Sequence, residues 1–79
     1  MIKVVAVEPI DNYRLKIRLS DGRQGLFDVT PYLDIGVFRE LKDSSYFRRV
    51  TADIFGGVMW PHEQDLSPET IEDGLQDTQ

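Results

Sequence analysis

Cysteine is absent from the 79 residues of this chain, and other features are missing with it. Without cysteine there is no disulfide framework, no thiolate nucleophile and no cysteine-ligated zinc site. The apolar runs fall well short of the ~20 residues that a membrane-spanning helix needs, and the N-terminal run before Pro9 is too short for a signal peptide. We therefore expect a soluble, cytoplasmic protein without a membrane partner.

Nucleotide-binding motifs are missing as well. Neither G-x-x-x-x-G-K-[ST] nor G-x-G-x-x-G occurs, so the sequence predicts no nucleotide-dependent enzyme and no cofactor. The single histidine, His62, is followed by Glu63 and Asp65, but the helical zinc motif H-E-x-x-H would need a second histidine where Leu66 stands. We expect a turn with His62 at its rim, no metal and no catalytic residue. A metal-dependent hydrolase using His62 is a remote alternative.

Basic residues are missing from the C-terminal part of the chain. All nine lie between Lys3 and Arg49, and with the seven acids of residues 1–49 they give 9 − 7 = +2. Residues 50–79 carry seven acids and no lysine or arginine, hence −7. This acidic segment disfavours nucleic-acid binding by the chain as a whole. It is either a solubilising segment or a site for a basic partner.

What the chain does contain is sufficient for one small domain. Hydrophobic residues make up 41% of the sequence, as in ordinary globular proteins. We expect a single domain over residues 1–75 and a frayed tail over residues 76–79. A fold of this size buries only roughly 60% of the surface that its unfolded chain exposes, so a second copy or a tightly bound partner would add needed apolar burial.

The clearest structural pattern runs from Tyr13 to Ser20, where apolar and polar residues alternate as in a half-buried strand. The Asp21-Gly22 pair that follows predicts a hairpin. A two-residue turn would mix polar and apolar side chains on both faces. A three-residue loop with Gly22 in the left-handed region instead pairs Leu15 with Phe27 and Arg14 with Asp28, and we predict that register.

The remaining patterns complete an α+β fold. We predict a three-stranded antiparallel meander over residues 2–29 with a first strand ending at Pro9, short helical segments, a second β-hairpin over residues 49–60, and a C-terminal helix. Thr30 and Ser67, each followed by proline, are predicted helix N-caps, and Asp43 is the predicted cap of a short helix over residues 44–48. The predicted core aromatics are Tyr46, Phe47 and Trp60.

The order of these segments resembles a known bacterial family, the domain of unknown function 2442. The resemblance is carried by the order and spacing of "SDG" at 20–22, "DVTP" at 28–31, "FRRV" at 47–50, and "WP" at 60–61 leading to "DLSP" at 65–68. It implies an α+β domain without established activity or assigned catalytic residues. It also implies genes that often lie beside that of another very small protein, as in toxin–antitoxin pairs, and members sometimes joined to a helix-turn-helix domain.

The candidate site is one face of the second and third strands. Arg14, Lys16 and Arg18 share that face with Leu26 in the predicted register. Such a face is commonly just the wet side of a sheet. The sharper interpretation is a docking surface for an acidic protein, either a neighbouring small protein or a second copy, with the homodimer slightly favoured as the purified state.

We therefore predict a small non-enzymatic protein-interaction module. The resemblance implies its most specific form, an antitoxin-like partner of a second small protein. The alternative is a component of a nucleic-acid-associated transcriptional regulator that acts through the same basic face. Binding to phosphates weakens steeply with added salt, whereas an interface centred on apolar contacts weakens much less. A salt titration therefore separates the two hypotheses.

Overall fold

The computed structural model describes residues 1–77. Its strands and helices in chain order are β1 (Val4–Ile10), β2 (Arg14–Leu19), β3 (Gln24–Asp28), two 3₁₀ helices (Thr30–Tyr32 and Gly36–Lys42), α1 (Ser44–Phe47), β4 (Thr51–Ala52), β5 (Val58–Met59), β6 (Asp65–Leu66), α2 (Pro68–Gly74) and β7 (Gln76–Asp77). Antiparallel hairpins followed by short helices confirm the predicted α+β class.

The first three strands form the predicted meander, within a sheet of order β1-β2-β3-β7. The Leu19 N–H donates to the Arg23 carbonyl, which leaves a three-residue loop between β2 and β3. In that loop Gly22 has a φ of +93°, a conformation that glycine adopts at no steric cost. Leu15 consequently pairs with Phe27, and the predicted register is confirmed.

The first strand is longer than the sequence indicated. We expected Pro9 to end it, but β1 continues to Ile10, and Pro9 pairs with Leu15 of β2. β1 lies at one edge of the sheet. An edge strand tolerates proline because no second neighbour requires the missing N–H.

A second, smaller antiparallel sheet contains β4, β5 and β6. Its β4–β5 hairpin lies where the sequence predicted one, whereas β6 was not predicted because two residues carry no readable periodicity. Gly57, just before β5, approaches β6 so closely that a Cβ there would lie 1.9 Å from the Leu66 carbonyl oxygen. Only glycine fits at this close approach of two backbones.

Asp43 caps α1 as predicted, since its carboxylate accepts from the Ser45 N–H at 3.0 Å. The two predicted caps that precede proline behave differently. Ser67 caps α2 as expected, since its hydroxyl accepts from the Thr70 N–H. Thr30 instead lies inside its 3₁₀ helix, and its own N–H donates to the Asp28 carboxylate at 2.9 Å. The aspartate two residues upstream thus supplies the acceptor, as in an Asx-turn.

The end of the described chain is paired. Residues 76–79 were expected to fray, but Gln76 and Asp77 form β7 and pair with Leu26 and Gly25. A Cβ on Gly25 would lie 2.3 Å from the Gln76 carbonyl oxygen, so this glycine gives the room for β7 to approach. Positions 78 and 79, also part of the predicted tail, lie outside the described residues.

The core lies on one side of the larger sheet, under the helices and the smaller sheet. Its buried apolar residues form one cluster that includes the predicted anchors Tyr46, Phe47 and Trp60. The Trp60 indole is 1% exposed, and its N–H donates to the Phe47 carbonyl at 2.9 Å. A buried indole with its donor satisfied is a stable arrangement. The opposite side of the sheet is left open.

Candidate functional site

The open side of the larger sheet, here called the outer face, holds all four residues predicted to bind a partner. Lys16 and Arg18 are exposed, while Arg14 and Leu26 are half-buried. Leu26 stands directly opposite Lys16 in the pairing of β2 and β3. Residues directly opposite in an antiparallel pair share a face. The apolar side chain of Leu26 therefore lies beside the row of Arg14, Lys16 and Arg18, as predicted.

The first strand adds residues to this face that the sequence patterns did not assign to it. Glu8 stands opposite Lys16, and Ala6 opposite Arg18. These assignments depend on an irregularity in the register between Val4 and Ala6, which no sequence pattern specified. Glu8 itself left a readable signal, since it is a charged residue between the apolar residues Val7 and Pro9.

The outer face is less basic than the sequence indicated. Arg14 stands opposite Asp28, and Lys16 opposite Glu8. Three cations and two carboxylates on the paired strands β1 to β3 give this face a net charge of +1. It is a mixed surface rather than a uniformly positive one.

Arg18 is the cation on this face that its neighbours compensate least. It stands between Ala6 and Gln24, neither of which carries a charge. Within residues 1–77 Arg18 forms no ion pair. Arg23, by contrast, bridges the Asp21 carboxylate at 2.8 Å and the Glu72 carboxylate at 2.6 Å. Arg18 therefore has charge to offer a ligand, whereas Arg23 is already engaged within the fold.

A shallow, open groove of about 330 Å³ lies on the outer face beside Arg18. Outward-facing residues of three strands line it: Ala6, Glu8, Lys16, Arg18 and Gln24. A volume of this order is at the small end of ligand pockets, large enough for a side chain or a small molecule. The groove combines two cations, one carboxylate and one amide.

The turn that contains His62 is the second polar feature, and its partners were not foreseen. His62 lies in a turn and its side chain is 63% exposed, as predicted for a residue at a rim. Its Nδ1 lies 2.7 Å from a carboxylate oxygen of Glu40, which is 22 residues away in the sequence. Its ring also stacks on Tyr46, with centroids 5.2 Å apart. The carboxylate beside the His62 ring is thus that of Glu40. Glu63, the neighbour that the sequence suggested as a partner, lies in the turn with a φ of +75°.

Gln64 connects the residues around this turn, and we call Glu40, Tyr46, His62 and Gln64 the Gln64 cluster. Gln64 is 2% exposed. Its Oε1 accepts from the Tyr46 hydroxyl at 2.6 Å, while its Nε2 donates to Glu40 and to the carbonyl of Val37. The Tyr46 oxygen in turn accepts from the His62 N–H at 2.8 Å. The cluster joins the second 3₁₀ helix, α1 and the turn before β6.

These hydrogen bonds determine the electrostatics of Glu40. Donation from His62 and, to a smaller extent, from Gln64 lowers the pKa of the Glu40 carboxyl below its ordinary value. Both nearby donors favour the charged form of the carboxylate. In residues 1–77, no group of three histidine, aspartate or glutamate side chains is arranged to hold a metal ion. The cluster contains one histidine ring hydrogen-bonded to one carboxylate, and its hydrogen bonds connect three segments of the fold.

Large apolar side chains are exposed at several other places within residues 1–77. Ile54 and Phe55, at the tip of the β4–β5 hairpin, are 85% and 77% exposed. This tip is separate from the outer face, and the Phe55 N–H in it donates to the Asp53 carboxylate at 3.1 Å. No helix within residues 1–77 has the length and apolar character to cross a membrane.

The comparisons with known proteins give one positive result. No curated protein and no solved structure matches the chain. The family model described as "Protein of unknown function (DUF2442)" matches residues 4–77. That match covers every described element of the fold, from β1 to β7. The chain therefore belongs to the DUF2442 family of proteins of unknown function.

Proposed function

We propose that this chain is a non-enzymatic protein-interaction module that binds an acidic partner protein on its outer face. The observation that supports this best is the exposure of Lys16 and Arg18 beside the half-buried Leu26. Within residues 1–77 neither cation forms an ion pair, and the helices and smaller sheet cover the other side of the sheet. Charged residues around an apolar contact are typical of a protein interface.

A protein partner fits the outer face better than a nucleic acid does. Glu8 and Asp28 stand within the basic row and would lie against a phosphate backbone. Tight binding to nucleic acid requires many uncompensated cations, and binding to single strands also requires aromatic rings. The outer-facing positions of β1 to β3 carry no aromatic residue. A salt-sensitive nucleic-acid regulator is therefore the weaker alternative.

In its most specific form, the proposed partner is another very small protein, in an antitoxin-like pairing. The small size of the chain supports a tight partner, because burying one more sheet face adds the apolar burial that 79 residues provide sparingly. A second copy of the chain satisfies the same need and competes for the same face. Localisation in the cytoplasm belongs to this proposal.

The test is a binding measurement with a purified partner. The protein is isolated from its host with whatever small protein accompanies it, and the complex is rebuilt from separate components. Arg14, Lys16 and Arg18 are then replaced together by glutamine in one variant and by glutamate in another. The glutamine variant is the cleaner one, because glutamate at 14 and 16 would face Asp28 and Glu8 and add like-charge repulsion.

We expect both variants to remain folded and to bind the partner more weakly, the glutamate variant most. Sedimentation of each protein alone measures self-association through the same face. Affinity that survives both triple replacements unchanged would move the interface elsewhere, first to α2, which carries Glu69, Glu72 and Asp73. An affinity for a random DNA duplex that falls with salt as steeply as phosphate binding requires would instead favour the nucleic-acid alternative.

A further inference from the structure

The groove beside Arg18 indicates what part of a partner would enter it. We propose that this groove binds a single carboxylate of the partner protein, and that an apolar partner residue two positions away in an extended segment rests on Leu26. This binding mode rests on the proposed function and specifies the acidic partner at the level of side chains.

Charge selects one carboxylate rather than a more highly charged group. Lys16, Arg18 and Glu8 line the groove, so its net charge is +1. A carboxylate of charge −1 neutralises this, and the Gln24 amide adds a donor beside Arg18. A phosphate monoester carries about −1.5 to −2 at neutral pH. Its excess charge would lie close to Glu8, so the groove favours the carboxylate.

The planar guanidinium of Arg18 suits this ligand as well. Arginine presents its N–H groups in a fork that matches the two oxygens of a carboxylate. The cross-strand neighbours of Arg18 are Ala6 and Gln24, a small side chain and an uncharged one. Neither competes with the ligand for the guanidinium. Arg18 is therefore the principal contact, and Lys16, which faces Glu8, is secondary.

The spacing of the groove and Leu26 determines the second part of the proposed partner segment. Leu26 is the diagonal neighbour of Arg18 across β2 and β3, since Gln24 stands directly opposite Arg18. Diagonal neighbours lie about 7–8 Å apart. Side chains two positions apart in an extended peptide are separated by about 6.8 Å. An extended segment with an acidic residue two positions from an apolar one matches both contacts at once.

The experiment uses a blocked pentapeptide, Ser-Glu-Thr-Leu-Ser, titrated into ¹⁵N-labelled full-length protein at low salt and followed by NMR. A second peptide with glutamine in place of the glutamate is the matched ligand control. We expect the glutamate peptide to shift the amide signals of Ala6, Lys16, Arg18 and Gln24. The glutamine peptide should shift them much less at equal concentration.

Protein variants then test the individual contacts. Arg18→Gln should weaken the glutamate peptide by roughly two- to fivefold, the range for one exposed ion pair. Arg39→Gln is the matched control, because Arg39 is an exposed arginine in the second 3₁₀ helix and not on the sheet. Glu8→Gln should tighten binding of the glutamate peptide, because it removes the like charge from the groove.

The outcomes separate this site from the wider proposal. Equal shifts with both peptides, or shifts confined to α2, overturn the carboxylate site. If partner binding still depends on the triple replacement, the outer face remains the interface and only the groove assignment fails. If the glutamate peptide binds at Arg18 while partner binding is unchanged by the triple replacement, the groove binds a carboxylate in isolation, but the partner does not supply one there, and both the proposed interface and this binding mode are overturned.

Discussion

The outer face and the Gln64 cluster are both polar, but their polar atoms have different partners. In the cluster, the side-chain amide of Gln64 binds three groups of the same chain. On the outer face, Lys16 and Arg18 form no ion pair within residues 1–77. Polar groups with internal partners stabilise one fold, whereas groups left to solvent are available to another molecule. The Gln64 cluster therefore bears on the stability of the fold, and the outer face bears on binding.

Burial explains why the difference has energetic consequences. Gln64 is 2% exposed, so a lost hydrogen bond there leaves a donor or acceptor without water to replace it. Within residues 1–77 every buried side-chain nitrogen and oxygen has a partner. Lys16 and Arg18 on the outer face are exposed to water, so replacing them should change the stability little. Mutations in the Gln64 cluster should therefore lower the free energy of unfolding much more than mutations of Lys16 and Arg18.

The largest expected effect is that of Gln64→Leu. Leucine has a similar size but leaves the Tyr46 hydroxyl without its acceptor and removes a donor from Glu40 and Val37. We expect a loss of about 2–3 kcal/mol in the free energy of unfolding, measured by urea denaturation at neutral pH. Gln24→Leu, the same substitution on the outer face, is the control. Equal losses of unfolding free energy in Gln64→Leu and Gln24→Leu would show that the hydrogen bonds of Gln64 do not stabilise the fold more than an exposed glutamine does.

The next effect tests the loop that decides which side chains face outward. Gly22→Val places a β-branched residue at a φ of +93°, and we expect a loss of about 1–2 kcal/mol. Gly22→Asn is the matched control, since asparagine tolerates positive φ better. No Cβ clash contributes, because nothing lies within 4 Å of a Cβ built there. Valine and asparagine variants that melt alike would rule out a backbone cause.

A smaller effect is expected from the pH dependence of the Gln64 cluster. The pKa of Glu40 is lowered mainly by its hydrogen bond with His62, so the folded state binds this proton more weakly than the unfolded state. The resulting stabilisation is present above the ordinary value of 4.5 and is lost as the pH falls through the lower folded value. Glu40→Gln should therefore be less stable than wild type at pH 6, with the gap narrowing at pH 3.

Denaturation of both proteins at these two pH values measures the difference. Asp21 and Asp34 also have lowered pKa values, each with its own basic partner. They occur in both proteins and cancel in the comparison. A gap that is the same at pH 6 and pH 3 would show that the Glu40 charge does not stabilise the fold.

Sequence patterns predicted the outer face because it follows from local rules. Alternation from Tyr13 to Ser20 together with one glycine at the loop determined the register of β2 and β3, and so placed Arg14, Lys16 and Arg18 with Leu26. The contribution of β1 was missed, since it depends on an irregular register and on a proline allowed at a sheet edge. Local rules give no information on which strand becomes the edge.

The Gln64 cluster could not be predicted for a related reason. Its contacts join Glu40 to His62 and Tyr46 to Gln64, over separations of 22 and 18 residues. A glutamine in a polar stretch has no feature that indicates burial. The sequence instead directed attention to Glu63 and Asp65, which are adjacent to His62 only along the chain. Long-range pairing of polar side chains is determined by the packing of the whole core.

The smallest expected effect completes the comparison. Replacing both Lys16 and Arg18 by glutamine should change the free energy of unfolding by less than about 0.5 kcal/mol, because exposed side chains without internal ion pairs contribute little to folding. Glu8 then loses its cation across the strand, but it remains in water and is hydrated.

Urea denaturation at neutral pH measures the change, with Arg23→Gln as the matched control. Arg23 bridges two carboxylates, so its replacement should cost more than either outer-face cation. A double variant clearly less stable than Arg23→Gln would mean that Lys16 and Arg18 serve the fold, and the outer face would then lose its distinction from the Gln64 cluster.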